Sequence, residues 1–366
     1  IEQIFRVITM VLFASLLLPM GLDYAAAGAS LGAFAGAIGG LFVLVYYQWK
    51  LNRDIELEYG MHLAPPPGEK PVPVAKIIRR IFSLALPVSA ASIMLPIVSN
   101  LDLLIVPQRL EVAGYTVPQA TELFGYLTGM AVPLVNLATI LTASLAVSIV
   151  PAISEARALQ DTRRVFGQTA AAVRISNFVC FPAFIVVLML ATPISTLIYN
   201  APKAELATQI TAFSIFFLGV HQVTTGILQG LNKPRIPVIN MGISLVIKVI
   251  LNWTLTAIPW LGIGGAAWAT VADIGFAALL NLIYIKKYTG YFLDISLLWK
   301  NVVSAGVMGI LIFMSYHYLT DILPMWGNFI LTGIEGLVLY VIIMVLLKGI
   351  NKNDGANMPL IGRFFR

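Results

Sequence analysis

Residues 243–287 read ISLVIKVILNWTLTAIPWLGIGGAAWATVADIGFAALLNLIYIKK. The stretch falls into two apolar runs, 236–257 (which begins a little upstream) and 263–285, parted by a breaker string that holds Pro259 and Gly262. Each run has about the twenty residues needed to cross a hydrocarbon core about 30 Å thick. Each carries a single ionisable residue, Lys248 in the first and Asp273 in the second. A lysine pair, Lys286 and Lys287, closes the second run as an interfacial stop.

The rest of the chain repeats this pattern. Of its 366 residues 59% are hydrophobic and 11% charged, with a mean hydropathy of +0.89, a composition that excludes a water-soluble fold. Ten runs of spanning length emerge, at 3–20, 25–48, 82–107, 124–149, 173–199, 206–229, 236–257, 263–285, 300–319 and 327–347. The expected fold is therefore an all-α polytopic membrane protein with about ten transmembrane helices. Alternating the run ends places nearly all of the 23 Lys and Arg residues on one side, with Arg109 and Lys203 on the other and Lys248 inside a span. Cytoplasmic loops carry the excess of bases, so both ends of the chain are expected in the cytoplasm.

The opening stretch contains a second copy of itself. IEQIFRVI (1–8) aligns with ISLVIKVI (243–250), setting Arg6 on Lys248. AAAGASLGAFAG from Ala25 aligns with GIGGAAWATVAD from Gly262, setting Gly28 on Gly265 and Gly36 on Asp273. Four runs precede the later pair, those beginning near 82, 124, 173 and 206. Equivalence of the copies thus predicts four helices before Ile1 and fourteen in all. Residues 1–50 would then close a first six-helix lobe, 51–74 form a polar, proline-rich cytoplasmic linker, 75–287 form a second six-helix lobe, 288–348 add a helix pair, and 349–366 form a basic cytoplasmic tail.

Several function classes are excluded. No GxxxxGK[ST] string occurs, so the chain does not hydrolyse ATP through a P-loop. Cys180 is the single cysteine, and the three histidines lack ligand spacing, which leaves no disulfide framework or metal cluster. No loop is long enough for a catalytic domain, and the bases follow membrane sidedness rather than forming a nucleic-acid patch. No catalytic residue, cofactor or nucleic-acid partner is expected.

The strings LIVPQRLEVAGYTVPQATELFGYLTGMAVPLVN from Leu104, SIVPAISEA from Ser148, TTGILQGLNKPRIP from Thr224 and LGIGGAAWATV from Leu261 resemble the polysaccharide exporter and flippase branch of the multidrug/oligosaccharidyl-lipid/polysaccharide superfamily. Within it the chain looks like the stage V sporulation protein B and YtgP group of Gram-positive bacteria, which is related to MurJ-type proteins. The resemblance implies a two-lobe, MATE-like helix bundle in the bacterial cytoplasmic membrane. It also implies an alternating-access flippase for an undecaprenyl-diphosphate-linked saccharide, with the peptidoglycan precursor lipid II foremost, serving cell-wall or spore-cortex synthesis. Its partners would be the lipid-linked saccharide, the bilayer and the cell-wall synthesis machinery. No bond is made or broken; drive would come from an H+ or Na+ gradient or the membrane potential. Two alternatives stay open: a drug or cation antiporter of the same superfamily, and a non-transporting component of a cell-wall assembly complex.

An ionisable group at mid-membrane costs about 2.5–3.5 kcal/mol on insertion scales, so each one demands a reason. Asp102 lies in the third run, seven residues before Arg109, which puts both on one helix face about 10 Å apart along the axis. Asp102 is a candidate for a coupling cation, with pairing to a base of the helices expected before Ile1, or packing, as the structural readings; Arg109 either contacts substrate or snorkels to the interface. Lys248 and its repeat mate Arg6 are candidates to line a central cleft and meet a diphosphate, although Glu2 at i−4 offers Arg6 a local partner. Glu122, Asn136, Arg174 and Gln229 complete the candidate substrate-binding set, with Asp273, which aligns with Gly36 and so is not duplicated, as a further candidate. Gly28, Gly32, Gly36 and Gly40 recur every fourth residue, a spacing that lets a neighbouring helix approach closely.

Overall fold

A computed structural model describes residues 2–59 and 73–349. The remainder of the expected linker, 60–72, and of the basic tail, 350–366, lies outside the described residues, as do the side chains of 83–95. All regular elements among the described residues are helical: α1 (Glu2–Leu17), α2 (Leu22–Tyr59), α3 (Val74–Val112), α4 (Val117–Gly125), α5 (Val132–Ala138), α6 (Ile140–Ala158), α7 (Thr162–Met189), α8 (Ala191–Tyr199), α9 (Glu205–Gly230), α10 (Arg235–Leu255), α11 (Ile263–Thr289), α12 (Ile295–Leu319) and α13 (Met325–Leu346). Nine of these, α1, α2, α6, α7 and α9–α13, are long and apolar enough to cross a membrane among the described residues. The run at 82–107 lies within the 39 residues of α3. The outer faces are apolar too; Ile342, Val345 and Leu346 of α13 are all exposed, as befits a helix solvated by lipid rather than water.

Two compact units divide the chain, residues 1–79 and 80–366. In the first, α1 and α2 form an antiparallel hairpin whose contact is set by the glycine spacing. A Cβ at Gly28 would meet the Phe13 carbonyl oxygen at 2.6 Å, and one at Gly32 the Met10 Cα at 2.6 Å. At Gly36 it would meet the Arg6 Cβ at 2.9 Å, so the backbones approach as closely as small residues allow. α2 runs on to Tyr59, past the apolar boundary at 48, because LNRDIELEY is rich in good helix formers.

The second unit is organised around α9, which packs against α6, α7 and α11. Gly226 and Gly230 of α9 admit α6: a Cβ at Gly226 would strike the Ala146 carbonyl, and one at Gly230 the Ile153 Cβ at 2.8 Å. One core joins α7, α8, α9, α12 and α13 around Phe181, Ile215, Met308, Ile312 and Tyr340; another joins α6, α7, α9 and α11 around Ile153, Val173, Ile227 and Ile285. Within the α12/α13 pair the Tyr340 hydroxyl donates to Asn301 Oδ1 at 2.7 Å, and Ser315 donates to Glu335 at 2.8 Å, so Glu335 serves packing.

Two boundaries differ from the hydropathy pattern. The run expected at 124–149 is broken rather than continuous. Pro133 has no N–H to donate, and a π turn over Tyr126–Ala131 takes up the slack, with the Val132 N–H bonding back to Leu127 O. A second break falls at Thr139 (φ −100, ψ 10), between α5 and α6. The run expected at 173–199 begins instead at Thr162, where the Asp161 carboxylate accepts the Arg164 N–H at 2.8 Å as an N-cap, and it breaks at Leu190 between α7 and α8. Hydropathy marks the apolar portion of a helix, whereas a cap marks its hydrogen-bonded start, which is free to lie in the polar flank.

Candidate functional site

The deciding stretch builds the site. Along α10, Asn240, Ser244, Lys248 and Asn252 recur every fourth residue and are all buried, which makes a polar stripe inside an apolar helix. Each member has a partner on a facing helix. Asn240 donates to Asn281 Oδ1 at 2.8 Å, and the Ser244 hydroxyl donates to Asp273 Oδ1 at 2.6 Å, both across to α11. Lys248 Nζ lies 2.6 Å from Asp102 Oδ2, and Asn252 Nδ2 donates to Asp102 Oδ1 at 2.8 Å, both across to α3. The Asp102 carboxylate thus uses both oxygens, one in an ion pair and one in a neutral hydrogen bond. With side-chain exposures of 5% for Lys248 and 15% for Asp102, the pair is largely desolvated. At such a place a lone charge would be far costlier than a satisfied pair.

A cavity of about 680 Å³ opens beside this pair. Asp102, Lys248, Asp273, Ser244, Asn136 and His221 supply its polar lining, and residues such as Leu103, Phe124, Leu127 and Met241 its apolar wall. Its volume suits an organic molecule or a head group rather than a bare ion. The π turn contributes directly, since it and α5 carry Leu127, Thr128, Val132 and Asn136 into the wall.

The remaining candidates lie elsewhere. Arg109, two turns beyond Asp102, donates from Nε to the Trp253 carbonyl at 2.9 Å and stacks over the Trp253 ring at 4.4 Å, so it finishes the C-terminal turn of α10. Glu122 accepts from the Tyr126 hydroxyl and sits 3.8 Å from Lys203. Arg174 lies on α7 near Tyr291, whose phenol is pushed up to about 12 by burial, with the positive charge of Arg174 opposing the shift. Gln229 is exposed at the end of α9. Arg6, in the first unit, pairs with Glu2 at 2.8 Å along its own helix. Arg109, Glu122, Arg174 and Gln229 do not line the cavity. Ser244 and Asn252 were not singled out in the sequence reading, although their four-residue spacing from Lys248 was a usable signal. Asp273, a sequence candidate without a repeat mate, lies in the cavity lining.

Fold and cavity together define a polytopic helical membrane protein with a partly charged internal cavity. Residues 127–254, which include much of the cavity wall and the polar stripe of α10, match the MatE family model. The chain is 26% identical over 367 residues to the stage V sporulation protein B of Bacillus subtilis (strain 168), covering 99% of this chain and 69% of that protein. It is 27% identical over 325 residues to the lipid II flippase MurJ of the same organism, covering 85% of this chain and 58% of that one. A solved structure of lipid II flippase MurJ in an inward closed conformation shares the fold, with a TM-score of 0.66 at 17% identity over 94% of this chain and 66% of that one. The chain thus spans 58% to 69% of the length of these proteins.

Proposed function

We propose that the chain belongs to an alternating-access flippase that moves an undecaprenyl-diphosphate-linked saccharide, foremost lipid II, across the bacterial cytoplasmic membrane, with both described ends on the cytoplasmic side. The observation that carries the reading is the cavity beside Lys248, which lies within the stretch that matches the MatE family model. A buried ammonium held by a carboxylate is a cation that an incoming diphosphate can recruit, and the apolar wall accepts the portion of a head group that leaves water. The relatives named lipid II flippase and stage V sporulation protein support the substrate class. No bond changes. The residues bind and release, and an H+ or Na+ gradient or the membrane potential supplies direction. Cell-wall synthesis machinery would take up the delivered precursor.

One observation favours a second reading, a cation or drug antiporter: two carboxylates, Asp102 and Asp273, line the cavity against a single ammonium. One experiment separates the two. Lipid II exposed on the outer face is measured in cells depleted of their resident flippase and supplied with the full-length protein. Exposure is expected to persist with the unaltered protein and to fall in the Asp102→Asn/Lys248→Gln double variant at equal membrane abundance, because neutralising both partners together strands neither member of the pair. Exposure that never appears, together with Asp102-dependent ethidium efflux, would transfer the assignment to the antiporter.

A further inference from the structure

At the end of the second unit where α6 turns into α7, α9 turns into α10 and α11 stops, a smaller cavity of about 300 Å³ is present. Two cations line it, Arg157 from the last turn of α6 and Lys233 from the turn after α9. Both are exposed, and among the described residues neither joins an ion pair, whereas the neighbouring Arg164 is tied to Glu155 at 3.0 Å. Lys233 Nζ lies 5.6 Å from the centre of the Tyr288 ring, which also lines the cavity, and Lys287 Nζ lies 5.9 Å from the same ring. Positive charge therefore gathers around one aromatic platform. Asp161 is the one carboxylate lining the cavity, and its Oδ1 is engaged with the Arg164 N–H of its own helix. Both turns that frame the site are fixed in the left-handed region, at Gln160 (φ 56) and Asn232 (φ 56).

We propose that this cavity binds the phosphate of an anionic phospholipid. The two cations match a phosphate, and the volume suits a phosphate with a small polar group and excludes an acyl chain. Val165 and Leu231 line the inner wall, while Leu159 and Phe166, beside the cavity residues Gln160 and Val165, expose 65% and 45% of their surface. That places the site at a boundary between water and hydrocarbon, which a lipid satisfies at both ends and a free phosphate at only one. The site is separate from the larger cavity and does not depend on what that cavity transports.

The test is lipid retention by the purified full-length protein, read by native mass spectrometry after exchange into phosphatidylglycerol or phosphatidylcholine, with glycerol 3-phosphate as a soluble competitor. Phosphatidylglycerol is expected to be retained in preference to phosphatidylcholine. The Arg157→Gln/Lys233→Gln variant should weaken that retention by more than the roughly thirtyfold that any two basic side chains contribute at an anionic surface. A charge-matched control, Arg163→Gln/Arg235→Gln, removes two exposed bases of the same end that do not line the cavity. Equal losses in both variants would mean diffuse attraction and overturn the built site. Displacement by glycerol 3-phosphate at concentrations comparable to the lipid would reassign it to a soluble phosphate. All four residues are exposed, so neither variant is expected to compromise the fold.

Discussion

The α1/α2 hairpin and the α10/α11 pair are two uses of one plan. Gly28 of the first packs on Phe13, and Gly265 of the second packs on Leu255, where a Cβ would meet the carbonyl oxygen at 2.5 Å. Those four residues correspond in the sequence alignment, so the closest crossing of each helix pair is retained. Beyond that crossing the copies part. In the first, Arg6 pairs with Glu2 on its own helix, half in the open, and faces Gly36. In the second, Ser244 stands where Glu2 does, and the acid has moved to the facing helix as Asp273, the counterpart of Gly36. Lys248, the counterpart of Arg6, turns to Asp102 on α3. Moving one carboxylate from the same helix to its neighbour converts a local i,i+4 pair into a polar seam across α3, α10 and α11. An exposed local pair adds little, whereas a buried network fixes how helices meet and gives a cavity its charge.

The comparison is broken most forcefully at the bases. Lys248→Ala leaves the Asp102 carboxylate buried and unpaired, which is expected to cost about 3–5 kcal/mol. Arg6→Ala removes a pair whose partners are 36% and 47% exposed, and should cost no more than about 0.5 kcal/mol. Thermal unfolding of the detergent-solubilised protein measures both, and equal losses would mean that the two bases do the same work. The shared crossing is probed next. Gly28→Ala and Gly265→Ala each push a methyl into neighbouring backbone, and each should lose about 1–3 kcal/mol. Gly306→Ala on α12 and Gly333→Ala on α13 meet nothing within 4 Å and should be neutral, or gain about 0.5–1 kcal/mol in helix propensity.

Much of this plan was legible before any coordinates. The helical fold class followed from run length, since lipid forces every spanning backbone to satisfy itself within a helix, although two of the ten runs break into shorter helices. The glycine spacing announced the tight hairpin. The partnership of Asp102 with Lys248 was not legible, because the two are separated by 146 residues and only tertiary packing joins them. Arg109 shows the converse. Its placement on the Asp102 face followed from helical spacing, yet spacing says nothing of the Trp253 ring that holds it. The π turn that brings Asn136 to the cavity answers to a proline whose effect on register depends on its surroundings. The stripe of Asn240, Ser244, Lys248 and Asn252 was readable in principle. In a spanning helix, four polar residues at a spacing of four mark the face turned away from lipid.

The sharpest comparison sets Ser244 against Glu2, two residues at one repeat position. The Ser244 hydroxyl is buried, with 1% of the residue exposed, and donates to a carboxylate at 2.6 Å. A hydrogen bond to a charged acceptor is worth about 1.5–3 kcal/mol, so Ser244→Ala should destabilise the protein by about 1.5 kcal/mol. Glu2→Ala deletes an exposed partner and should change stability by less than about 0.5 kcal/mol. If Asp273 draws its support from Ser244, the loss on Ser244→Ala should vanish in an Asp273→Asn background, where the acceptor no longer carries charge. A double-mutant cycle measures that coupling directly, and a coupling near zero would show that Asp273 is held by the rest of the seam. The corresponding cycle of Glu2 with Arg6 should stay within a few tenths of a kcal/mol, since both partners can reach water when the other is removed. A large coupling there would mean that the acid was never relocated in any energetic sense, and that the first copy already contains the interaction on which the second builds its cavity.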